Sequence, residues 1–132
     1  MITSLFAGIL GLIYAKLSLD TIAARRAHKI SIGVGGNNEI ASIVSAHSNF
    51  SSYTIYLLFL MYLCESSSAV PKIVIYIIGS AFTLGRLLHY SAFKSQKMNF
   101  KRRVLGMQLT LWPLIILSLI NIWIFISRHL VE

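Results

Sequence analysis

The side chains in this sequence that can do chemistry are gathered into a few stretches. The longest runs from Ala23 to Tyr53. It opens with a basic cluster, Arg25, Arg26, His28 and Lys29, and continues through Gly33-Val34-Gly35-Gly36. It then carries Ser42, Ser45, His47, Asn49, Ser52 and Tyr53. A second group, Arg86, His89 and Tyr90, lies near position 90, and a third, Lys101, Arg102 and Arg103, follows Lys94 and Lys97. Arginine forks take carboxylates and other anions bidentately, while hydroxyl and amide groups orient the neutral parts of a polar ligand. Ser42, Ser45, Asn49, Ser52 and Tyr56 recur at steps of three and four, which puts them on one helical stripe. Tyr53 borders the stripe and His47 faces elsewhere. Such a stripe either lines a ligand cleft or holds helices together at a subunit interface, and it can do both.

Other chemistries have no residues to support them. The glycine run matches neither the dinucleotide fingerprint nor the P-loop, and no strand precedes it. It reads as a turn-rich loop, with Asn37 or Asn38 capping the next helix and Glu39 in its first turn. The single Cys64 excludes an internal disulfide and behaves as a small apolar residue. No Cys/His pattern with metal-ligand spacing occurs.

The elements that must position these groups are membrane helices. Of 132 residues, 56% are hydrophobic and 12% charged, with a mean hydropathy of +0.73. Soluble domains carry about 25% charged residues, so a water-facing surface cannot be built here. Four segments, about 2–24, 40–64, 70–90 and 104–126, reach the roughly 20 residues that cross a bilayer. They make one all-α domain, an integral membrane four-helix bundle. The net charge is +8, and eight of the twelve lysines and arginines cluster in two connectors, Arg25–Glu39 and Phe93–Arg103. That is the positive-inside pattern of a multi-pass protein with both basic connectors in the cytoplasm. It is not a nucleic-acid footprint, because no aromatic–basic interleaving accompanies the charge.

Within the spans, Gly8, Gly11 and Ala15 predict a face where helices approach closely. Lys16 and Asp20 are spaced to pair on one helix, with Asp20 turned towards protein because a lone carboxylate in lipid is costly. Gly79, Thr83, Arg86 and Tyr90 share a stripe, which favours inward pairing of Arg86 over snorkelling to headgroups. Pro113 is a candidate kink in the fourth span, and Trp123 approaches the far interface.

Three stretches together resemble the MAPEG family, membrane-associated proteins of eicosanoid and glutathione metabolism, and most of all its bacterial, YecN-like branch. They are Ala24-Arg25-Arg26-Ala27-His28-Lys29-Ile30-Ser31, Ala46-His47-Ser48-Asn49-Phe50-Ser51-Ser52-Tyr53, and Gly85-Arg86-Leu87-Leu88-His89 followed by Arg103-Val104-Leu105-Gly106 and Thr110. The resemblance implies a homotrimer in the bacterial inner membrane, with glutathione held between subunits near the cytoplasmic face. By position it implies glutathione contacts for Arg25, His47, Asn49, Tyr53, Arg86 and His89. It further implies that Arg103 stabilises the thiolate and Arg26 acts at the second, hydrophobic substrate. The sequence departs from the family signature at two charged positions, where Ser45 replaces an arginine and Ser52 a glutamate. The function implied is a glutathione-dependent transferase or peroxidase acting on lipophilic electrophiles. The alternatives are a non-catalytic lipid-binding scaffold and a purely structural membrane subunit.

Overall fold

The computed structural model describes residues 1–94 and 99–129, apart from the side chains of Phe93 and Lys94. Lys97, assigned above to the second basic cluster, lies outside the described residues. Four helices follow in order: α1 (Ile2–Ala27), α2 (Asn38–Ser66), α3 (Lys72–Lys94) and α4 (Phe100–His129). Three of them, at Ile2–Ala27, Lys72–Ala92 and Phe100–His129, are long and apolar enough to cross a membrane. α2 matches them in length, and its polar stripe accounts for its lower apolarity.

The helices overrun the expected connectors. Helix α1 continues through Ala27, so Arg25 and Arg26 occupy its last turn, where cations suit the negative end of the macrodipole. The first loop is correspondingly shorter than Arg25–Glu39. Likewise α3 reaches Lys94 and α4 starts at Phe100, so Lys101–Arg103 lie in the first turn of α4 rather than in a connector.

Each helix end has a local cause. Glu65, in the last turn of α2, accepts hydrogen bonds from the backbone N–H groups of Ile2 and Thr3, the latter at 2.8 Å. A carboxylate thus caps α1 from another helix. The chain leaves α1 through Lys29, in the left-handed region at φ 53°. Asn37 caps α2, its Oδ1 accepting from Glu39 N at 2.9 Å and Ile40 N at 3.2 Å. Asn99 caps α4 by accepting from Arg102 N at 3.1 Å.

Helices α2 and α3 form the middle of the bundle. Each packs against both outer helices, while the backbones of α1 and α4 stay apart among the described residues. The core is Leu10, Leu17, Phe50, Leu57, Met61, Ile75, Phe82 and Leu117 with their neighbours. Polar ties cross it at intervals. Asn121 on α4 donates to Leu60 O of α2 at 3.2 Å, and Tyr90 on α3 donates to Asp20 on α1, which also pairs with Lys16. Asp20 therefore turns to protein, as its cost in lipid requires.

The close helix approach is not where the glycine pattern of α1 puts it. A Cβ at Gly8 or Gly11 would meet nothing within 4 Å, and Ala15 is exposed. The tight crossing is between α3 and α4. A Cβ at Gly106 would lie 2.8 Å from Gly85 O and 2.9 Å from His89 N. Two bare backbones in contact bring the side chains one turn away on each helix within hydrogen-bonding reach.

Candidate functional site

The polar stripe of α2 forms the floor of an open groove of about 570 Å³. Ser45, Ser48, Asn49, Ser52 and Tyr53 supply its polar surface, and Val34, Ala41 and Val44 its apolar surface. Ser48 was not among the residues singled out in the sequence, although it lies three residues from Ser45 and four from Ser52. Ser42 and Tyr56, expected on the stripe, do not line the groove. Among the described residues no charged side chain lines it.

The charge lies behind the floor. Arg86 is 1% exposed, turned inward as its stripe on α3 predicts. Its Nη1 donates to Asn49 Oδ1 at 2.7 Å, and its Nη2 donates to Thr110 Oγ1 and lies 3.9 Å from Met107 Sδ. Its guanidinium carbon lies 5.8 Å from the ring centre of Tyr53 and 5.5 Å from that of Phe82, which adds cation–π attraction. The Nε atom is buried with no partner. Among the described residues none of the groups that contact this cation is a carboxylate, and a buried cation compensated only by neutral dipoles attracts an anion. Asn49 and Tyr53 separate it from the groove and touch both.

Three of the residues assigned from sequence, Asn49, Tyr53 and Arg86, are therefore brought together by two helices. His89 follows one turn after Arg86, buried and pressed under Gly106. Within one chain the others lie elsewhere. His47 points to α1, where its Nε2 is 3.0 Å from Ser18 Oγ and its ring lies 4.9 Å from that of Tyr14. Arg25 bends over the glycine loop, donating from Nη1 to Gly33 O at 2.9 Å and to Ile30 O at 3.4 Å. It thereby holds the loop that presents Val34 to the groove. Arg26 is exposed at the end of α1, and Arg103 is half-buried in the first turn of α4.

The glycine loop is closed by a second clip. His28 Nε2 meets Glu39 Oε2 at 3.1 Å, and Asn37 Nδ2 is 3.1 Å from His28 Nδ1. Gly33, Gly35 and Gly36 all adopt positive φ, between 55° and 70°, which is the reason for glycine there. Thr110 and Met107 contact Arg86 but received no role from the sequence. Thr110 belongs to the third stretch of the family resemblance, and the one signal for Met107 was its place next to Gly106.

Comparison with known proteins adds a lineage to this geometry. A profile of the MAPEG family matches residues 3–123. The chain is 30% identical over 123 residues to the inner membrane protein YecN of Escherichia coli K12, which covers 93% of this chain and 92% of that protein. The YecN protein of Escherichia coli O6:H1 matches equally.

Proposed function

This chain belongs to the MAPEG family of integral membrane proteins, and on that premise we propose that it is a glutathione-dependent transferase or peroxidase acting on lipophilic electrophiles. The observation that carries the reading is Arg86, a sealed cation whose partners are neutral and whose Nε has none, set behind Asn49 and Tyr53 at a groove in the membrane. Glutathione brings two carboxylates for such a charge, amides for the serine hydroxyls and Asn49, and a thiol. Thiolate is the nucleophile, and neighbouring positive charge lowers a thiol's pKa. In this reading Arg103 supplies that charge and Arg26 faces the electrophile. In a conjugation the thiolate sulfur bonds to the electrophilic carbon and the leaving group departs with its electron pair.

The groove is open along one side, so the reading requires a second copy of the chain to close it, as in a homotrimer. It also sets an expectation for affinity. Ser45 and Ser52 offer no charge, and each missing charged hydrogen bond costs about 1.5–3 kcal/mol, roughly 10–150-fold in binding. Glutathione binding in the millimolar range follows.

The test is conjugation of a chlorinated nitrobenzene with glutathione by the detergent-purified oligomer, together with thermal stabilisation by glutathione. Turnover and stabilisation support the reading. If millimolar thiol gives neither, it fails. The uncharged lining favours one other reading, a lipid-binding scaffold, which predicts a co-purifying acyl chain in the groove and no turnover.

A further inference from the structure

We propose that Thr110 is the positioning residue of the groove, acting through Arg86 on Asn49. The hydroxyl of Thr110 has one proton, and the geometry commits it: Oγ1 donates to Gly106 O at 2.8 Å. Only lone pairs then remain to face Arg86 Nη2, which donates to them. Thr110 is fully buried, so no water can replace it. The guanidinium is planar and rigid, so fixing Nη2 also fixes Nη1, and Nη1 holds Asn49 Oδ1 at 2.7 Å. Asn49 lines the groove. The relay thus runs from a buried hydroxyl on α4, through a buried cation on α3, to the amide that a ligand meets on α2. The bare crossing of Gly85 and Gly106 is what brings α4 close enough for it.

The relay distinguishes an acceptor from a shape. In Thr110→Val a methyl group replaces the acceptor at nearly constant volume, leaving Nη2 with only the weak acceptor Met107 Sδ at 3.9 Å and Nε with none. The nearest polar space is the groove, past Asn49 and Tyr53, and the guanidinium should swing towards it. Thr110→Ser keeps the acceptor and should leave the guanidinium where it is.

The experiment uses the full-length oligomer in detergent and reads Arg86 modification by phenylglyoxal, located by peptide mass spectrometry, beside the glutathione Kd. Wild type and T110S are expected to be protected, and T110V to react at least about tenfold faster and to bind glutathione about tenfold more weakly. A folded T110V in which Arg86 stays protected and the Kd is unchanged overturns the proposal. If T110V does not fold, T110S and T110C decide it, since the two share a shape and differ in acceptor strength. Equal labelling in that pair overturns the proposal as well. The Kd arm rests on the glutathione reading and the labelling arm does not. A wild type that binds no glutathione, with T110V still labelled faster, would refute the ligand and leave the positioning role standing.

Discussion

Replacing Gly106 with alanine should separate the two helices that build the cation site. The added Cβ would lie 2.8 Å from Gly85 O, 2.9 Å from His89 Cβ and 2.9 Å from His89 N. Two of these three atoms are backbone, and no flexible side-chain end is among them, so the strain cannot be relieved by a rotamer change. Overpacking costs about 1–3 kcal/mol, and a clash with rigid backbone belongs at the upper end. Against that, alanine is roughly 1 kcal/mol better than glycine in a helix interior. A net loss of about 2 kcal/mol remains, which corresponds to a melting temperature lower by about 5–10 °C. The control is Gly11→Ala, which gains the same helix propensity and meets nothing within 4 Å. Thermal unfolding of the two variants, purified identically in one detergent, should place G106A well below wild type and G11A at or above it. Equal melting temperatures for G106A and G11A would refute the reasoning, because they would mean that α3 and α4 do not touch through bare backbone.

Two further perturbations test the supports of the groove and of the first helix. Glu65→Gln keeps an acceptor for Ile2 or Thr3 but removes the negative charge from the α1 N-terminus, and should cost about 0.3–1 kcal/mol in thermal stability. Arg25→Ala removes the guanidinium that holds the carbonyls of Ile30 and Gly33. It should raise the rate of proteolytic cleavage within residues 28–37 severalfold while the melting temperature of the bundle moves little, since surface substitutions stay within about 0.5 kcal/mol. A protected loop in that variant would mean that the His28–Glu39 clip suffices.

Much of this architecture is written locally and was therefore legible in the sequence. Apolar runs of bilayer length specify the four helices of an integral membrane bundle. A cap at Asn37 or Asn38 and a turn-rich glycine loop follow from backbone chemistry that needs no partner, and the structure puts the cap at Asn37. The inward turn of Arg86 and of Asp20 was legible as well, because a charge facing lipid is too costly to leave unpaired. Even the groove was half visible, since Ser45, Asn49 and Ser52 share a helical face by spacing alone.

What spacing could not give is which partner each face meets, and that the packing of the helices decided. Gly8 and Gly11 have the right pattern for a tight crossing, yet the crossing is at Gly85 and Gly106, on helices whose contact depends on the register of α3 against α4. His47 and Asn49 are two residues apart, and the positions of α1 and α3 send one to Ser18 and the other to Arg86. Thr110 was noted in the sequence as part of the family resemblance, but its partner Arg86 could not be read from its place in an apolar helix. Hydropathy decides whether a helix can cross the membrane. Rotation about its axis is set by contacts with its neighbours, and that rotation determines which polar group each buried charge finds.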